Sequence, residues 1–174
     1  MINILEKFNM EGKTALVTGA AGLLGAGHAR ALLECGSSVV LTDVSEDSLD
    51  STSKLLSQDT DIDRIFSYVM DVSNLESIKT VSDDLSSKGR RVDVLVNNAA
   101  IDPKVKGDQG VLETSRLENF PLDQWDLQMS VGLTGAFLCS QVFGSAMSND
   151  GQGGVILNIA SDLSVISPDQ RLYR

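Results

Sequence analysis

Short apolar runs of strand length alternate along this chain with longer segments in which apolar residues recur every three or four positions. Residues 13–18 (KTALVT) read as a first strand, and 23–34 as a helix stopped by Cys35 and Gly36, where glycine suits the left-handed cap position. Residues 37–42 form a second strand, 45 to about 57 a second helix, and 65–70 a third strand ending at Asp71. Ser73-Asn74-Leu75-Glu76 has the S-x-x-E spacing of a capping box, which predicts a helix from there to about Lys88. Residues 92–96 give a fourth strand, 121–147 contain a long helix, and 155–159 give a fifth, apolar strand. Residues 102–120, with Pro103, Gly107, Gly110 and several charges, form the longest irregular stretch and read as a surface loop, a lid being the functional option. No internal repeat interrupts this order. The alternation predicts an α/β fold: a doubly wound parallel sheet of about five strands with helices on both faces, in one domain over residues 1–174.

Charge narrows the partners. A formal net charge of −10 repels phosphate backbones and anionic lipid, so the expected partner is a small molecule, with neither nucleic acid nor membrane. The nearly uncharged run 14–27 is glycine-rich and shorter than the roughly 18 residues of a membrane span. Residues 1–7 lack the basic leader and apolar stretch of an export signal, so a cytoplasmic setting is expected. Cys35 and Cys139 stand far apart without metal-ligand spacing and read as buried free thiols. With His28 as the sole histidine, neither a histidine triad nor a histidine-rich metal site is expected, and His28 reads as an ordinary helix residue.

The chemistry sits at strand ends. Thr18-Gly19-Ala20-Ala21-Gly22-Leu23-Leu24-Gly25 follows an apolar strand and opens a helix, the setting in which backbone amides and the helix dipole hold a pyrophosphate. Helix-to-sheet packing alone also selects small residues there. Asp43 falls at the end of the second strand, about 20 residues beyond the glycine turn, where a carboxylate accepts hydrogen bonds from ribose hydroxyls and repels a 2′-phosphate. It favours NAD over NADP; the plainer reading makes Asp43 a turn or cap residue.

Together with Asp71-Val72, Asn97-Asn98-Ala99-Ala100 and Asn158-Ile159-Ala160-Ser161, these segments resemble, in order, the short-chain dehydrogenase/reductase family, a Rossmann-like fold. The resemblance implies that Thr18, Gly19, Gly22, Leu23, Leu24 and Gly25 hold the dinucleotide, that Asp71 beside Val72 contacts adenine, and that Asn98, Ala99 and Ala100 lie beside the cofactor. It implies carbonyl/alcohol interconversion in which a serine polarises the carbonyl, a tyrosine supplies the proton, and a lysine lowers the tyrosine pKa from its ordinary value of about 10. Ser161 is the candidate serine. No Y-x-x-x-K occurs, and Tyr173 lacks a lysine one turn later, so it reads as a decoy. The resemblance covers only the first part of a family member, which would continue for roughly another 80–100 residues; the sheet is thus expected to be incomplete at its C-terminal end. That would leave the fifth strand's edge open, from which homo-oligomerisation is expected.

Glycines at 19, 22 and 25 are spaced more like the family's extended, sugar-nucleotide branch, Ala100 replaces the usual last glycine of NNAG, and Gly132 replaces an asparagine of the usual proton relay. Glycine also costs about 1 kcal/mol against alanine inside a helix, so either the relay is altered or the helix bends at 132. Trp125 and Phe137 read as packing residues. The stretch from Val111 to Arg174 resembles reductases associated with flagellin modification, which implies a sugar or nucleotide-sugar substrate. A non-catalytic nucleotide-binding module and a nucleotide-sugar epimerase or dehydratase stand as alternatives, with an adenosylmethionine-dependent transferase behind them.

Overall fold

The computed structural model describes residues 3–101, 117–161 and 165–166. A short helix α1 (Ile4–Lys7) precedes β1 (Thr14–Thr18), α2 (Leu23–Glu34), β2 (Ser38–Asp43), α3 (Glu46–Leu56), β3 (Ile65–Val69), α4 (Leu75–Ser87) and β4 (Val94–Asn97). After the undescribed stretch come α5 (Leu122–Met129), a π-helical segment (Ser130–Gly135), α6 (Ala136–Asn149) and β5 (Val155–Asn158). All five strands are parallel, in the order β3-β2-β1-β4-β5. The order reverses direction beside β1, the arrangement in which ligands bind at the carboxyl ends of the strands.

Two apolar clusters sandwich the sheet. One gathers Leu16, Val40 and Leu95 with Ile78, Val81 and Leu85 of α4 and Cys139, Phe143 and Met147 of α6. The other gathers Val17, Val39, Leu41 and Val96 with Ala29 and Leu33 of α2 and Leu49 and Leu56 of α3. Alternate residues of a strand face opposite sides, which is why apolar runs without alternation suit these central strands.

Local chemistry corrects several expectations. The start of α4 is not a Ser73 capping box: Asn74 is the cap, its side-chain oxygen accepting from the amides of Glu76 and Ser77, while Ser73 donates to Asp71. Asparagine one residue later reaches the same orphan amides, so the helix starts at Leu75. Cys35 is half-buried, not buried, because it caps the exposed end of α2; Cys139 is buried, and apolar surroundings push its thiol up to about 12. Gly36 adopts φ 97°, as its cap position required.

The long helix is bent in register. Its middle turn is π-helical from Ser130 to Gly135, around Gly132, and Gly135 closes onto Val72, whose Cγ2 a β-carbon there would meet at 2.7 Å. Trp125 and Phe137 are not packed but 54% and 60% exposed: α5 buries none of its residues, and Phe137 stands outside the stripe of Cys139, Phe143 and Met147 that α6 buries. Residues 127–149 carry no charge, and the run Leu122–Asn149 is long and apolar enough to cross a bilayer by length and composition. Its C-terminal half instead buries Cys139, Phe143 and Met147 against the sheet and α4, as a core helix does.

At the amino edge of the sheet, Asp93 accepts from the Thr14 amide and from Lys13. Arg91 joins Asp93 to Asp150 and to the Gly153 carbonyl, clamping the turn that feeds β5. Arg91 holds Asp150 below the usual carboxylate range.

Candidate functional site

The turn between β1 and α2 lies at the carboxyl edge, in the middle of the sheet, and its glycines are required by close approach. Gly19 has φ 62°, and a β-carbon there would stand 2.9 Å from the Ala99 Cα; one at Gly25 would stand 2.2 Å from the Gly19 carbonyl oxygen. The Gly22 amide donates to the Gly19 carbonyl at 3.1 Å, closing the turn. Gly22 is the cap residue of α2 and supplies no side-chain acceptor, and no acidic residue occupies the first turn. By contrast α3 and α4 are capped by Ser45 and Asn74. The first amides of α2 are thus left for another acceptor, between the exposed side chains of Leu23 and Leu24.

Two neighbouring strands hold this turn. From β4, the Asn98 side-chain amide donates to the carbonyls of Thr18 (2.9 Å) and Gly19 (3.2 Å). The backbone amides of Asn98 and Ala99 both donate to the Thr18 hydroxyl oxygen at 3.0 Å. From β2, Asp43 accepts from the Ala21 amide at 3.2 Å and, with its other oxygen, from the Ser45 amide at 3.4 Å. Asp43 is only half-buried, so its carboxylate shapes the turn while remaining in part open to solvent. The two hydrogen bonds make Asp43 a turn residue, as the plainer reading of the sequence had it.

Asp71 and Val72 follow β3. Asp71 accepts from the amide and hydroxyl of Ser73, and its own amide donates to the Ser77 hydroxyl at 3.0 Å. Val72 is buried under Gly135. Ala100 is exposed at the β4 end, and Ser161 is exposed three residues past the end of β5. The structure thus gathers Thr18, Gly19, Gly22, Leu23, Leu24, Gly25, Asp43, Asn98 and Ala99 around one turn, with Asp71, Val72, Ala100 and Ser161 at the carboxyl ends of the adjoining strands. Tyr173 lies outside the described residues. Among the described residues, no group of three or more metal-binding side chains occurs.

Sequence reasoning missed Ser77 and Ser140. Ser77 holds the Asp71 backbone; Ser140 lies beneath the β4 and β5 ends, where it accepts from the Asn97 side chain at 3.0 Å. Neither sits in a recognisable motif, and a serine on a helix carries no signal until its facing strand is known.

The family profile described as short chain dehydrogenase matches residues 13–173. Among curated proteins, the chain is 36% identical over 160 residues to 2-dehydro-3-deoxy-D-gluconate 5-dehydrogenase of Bacillus subtilis, covering 91% of this chain and 57% of that protein. It is 33% identical over 167 residues to an NAD-dependent glycerol dehydrogenase of Listeria innocua, covering 96% and 59% respectively. A gluconate 5-dehydrogenase from Burkholderia cenocepacia, solved in complex with NADP and tartrate, superimposes with a TM-score of 0.80 at 27% identity, covering 95% of this chain and 60% of that one. The chain therefore spans somewhat over half the length of these relatives. With a family match over nearly its whole length and the same parallel sheet, the chain belongs to the short-chain dehydrogenase family of oxidoreductases.

Proposed function

We propose that this chain is the dinucleotide-binding domain of an NAD-dependent oxidoreductase that interconverts a carbonyl and an alcohol on a small polyhydroxylated substrate. The observation that carries this reading is the glycine turn at 19–25, which leaves the first amides of α2 uncapped beside the Asp43 carboxylate. In this reading the pyrophosphate lies against Gly19, Gly22 and the amides of Leu23 and Leu24, while Gly25 lets α2 approach β1. Thr18 braces the turn from below. Asp43 accepts from the adenosine ribose, Asp71 and Val72 border the adenine, and Asn98, Ala99 and Ala100 line the nicotinamide side. When bound, the cofactor supplies or accepts the hydride. Ser161 donates a hydrogen bond to the substrate oxygen as negative charge develops there.

The substrate class follows the relatives, whose names give a sugar acid and a polyol. A sugar or nucleotide-sugar of a flagellin-glycan pathway falls within the same polyhydroxylated class. We also propose a cytoplasmic homo-oligomer. Val155, Ile156 and Leu157 of β5 are exposed, and a second chain would cover them; light scattering that gives a clean monomer at high concentration overturns this part.

NADP is the second reading, favoured by the bound cofactor of the Burkholderia relative. Calorimetric titration with NADH and with NADPH decides between them. The expected result is tighter NADH binding that weakens roughly tenfold in Asp43→Ala, the loss of a hydrogen bond to a charged group. Tighter NADPH binding supports the second reading, and binding of neither sinks both.

A further inference from the structure

The long helix meets the rest of the fold along one stripe. α6 buries Cys139, Phe143 and Met147, and Gly135, one turn before Cys139 at the end of the π-helical segment, is buried in line with them. α5 buries none of its residues, so Gly135 is the last buried residue of this helix toward the carboxyl edge. What lies against it is Val72. A β-carbon at Gly135 would stand 2.7 Å from Val72 Cγ2, 3.0 Å from its Cβ and 3.2 Å from its carbonyl oxygen. The backbone at Gly135 has φ −61° and ψ −45°, ordinary helix that any residue adopts. Crowding alone therefore requires glycine. Gly132, in the same π-helical turn, has no atom within 4 Å of the place its β-carbon would take.

The segment that Gly135 touches borders the candidate site. The Met70 amide donates to the Asp43 carbonyl at 2.9 Å, which sets the end of β3 beside the end of β2. From α4, Ser77 accepts from the Asp71 amide at 3.0 Å, and Ser73 donates twice to the Asp71 Oδ1. Asp71 is thus held by hydrogen bonds from its own helix, and Val72, 6% exposed, by contact with a distant one. A π-helical turn adds one residue to a helix and shifts the register of all that follows, and such turns recur at functional sites. Here the shifted turn ends at the residue that seats on Val72.

We propose that Gly135 is a positioning residue for the nucleobase end of the dinucleotide site: its missing side chain lets the π-helical turn seat directly on Val72 and fixes Asp71-Val72 for the purine ring. This assignment rests on the function proposed above, in which the ribose lies at Asp43 and the base at the neighbouring strand end. The contact itself does not. A methyl group at 135 cannot share the space of Val72, so either the helix lifts or the end of β3 moves. Binding of the adenosine end suffers in both cases, while the glycine turn, held by Asn98 and Asp43, stays in place.

The experiment titrates wild type and variants with NADH, with AMP as the adenosine end alone, and with reduced nicotinamide mononucleotide as the other end alone. In Gly135→Ala, affinity for NADH and for AMP is expected to fall about tenfold, and affinity for the mononucleotide to stay within about threefold. Gly132→Ala, the same change in open space, is expected to leave all three within about threefold. Val72→Ala makes room for the added methyl, so on that background Gly135→Ala should cost NADH less than about threefold more. This pair of variants also decides the matter should Gly135→Ala alone not fold. Unchanged AMP affinity in Gly135→Ala overturns the proposal, as does an equal loss for the mononucleotide, an equal effect of Gly132→Ala, or additive losses in the double variant. Should wild type bind no NADH, the proposed function falls, and amide hydrogen exchange at residues 70–72 decides the contact. Faster exchange there in Gly135→Ala but not in Gly132→Ala supports Gly135 as the residue that holds the end of β3, and unchanged exchange overturns it.

Discussion

β1 and β5 have much the same sequence character and opposite surroundings. Both are short, parallel and mainly apolar, TALVT and VILN, and both end at the edge where the site lies. In β1 the residues from Ala15 to Val17 are wholly buried, because the strand has neighbours on both sides and apolar clusters on both faces. In β5 every residue is exposed, and among the described residues the strand pairs only with β4. An apolar strand therefore reports what its environment is suited to be, and its neighbours decide whether that environment exists. The difference also separates two kinds of order: β1 is held by packing, whereas β5 is held by the Asn97 amide at one end and the Arg91 clamp at the other.

The sharpest break in this comparison is a pair of truncations. Leu16→Ala in β1 should cost about 3 kcal/mol in urea unfolding, and Leu157→Ala in β5, half-exposed, less than about 1 kcal/mol. Equal costs would mean that β5 is covered in solution, by another copy of the chain. Next in size, Gly25→Ala should destabilise by about 2 kcal/mol, since its β-carbon would overlap the Gly19 carbonyl. NADH affinity should fall with it, because the clash lies in the turn itself; unfolding midpoints and calorimetry read the two effects.

A smaller effect tests the clamp. Asp150 has a folded-state pKa held below 3.8 by Arg91. Its contribution is therefore complete above the unfolded value and is lost as pH falls through the folded one. The urea midpoints of wild type and Arg91→Ala should differ by a constant amount from neutral pH down to about pH 5, and the difference should narrow as Asp150 is protonated, leaving the part due to the Gly153 carbonyl. A difference that grows on acidification would contradict the assignment. Smallest of all, Gly132→Ala should stabilise the chain by about 0.5–1 kcal/mol, because no atom stands within 4 Å of the added carbon and alanine is the better helix former. Destabilisation would show that the π-helical turn depends on glycine at this position.

Much of the site was legible because its residues occupy strand ends, and strand ends follow from where apolar runs stop. The glycine turn and Asp43 could be placed this way, and the dihedral of Gly19 and the crowding at Gly25 give the reasons for those glycines. The capping of α4 was misread by one residue, because serine and asparagine are both good caps and only the backbone path decides which oxygen reaches the free amides. Trp125 and Phe137 were misread for a different reason: an aromatic residue on a helix belongs to the core only if its face of the helix meets the core, and here the buried stripe is Cys139, Phe143 and Met147. Asn97 was visible within a motif, yet its reach to Ser140, 43 positions away, was not.

By itself, the sequence determined the class of fold, the order of its strands and helices, and the glycine turn between β1 and α2, because periodicity, turn chemistry and glycine's dihedral freedom are local properties of the chain. Tertiary structure alone decided which apolar strand is buried, which helix face meets the sheet, and which side chains link β4 to β5 and α6. Those outcomes depend on distances between segments far apart in sequence, which no local pattern encodes.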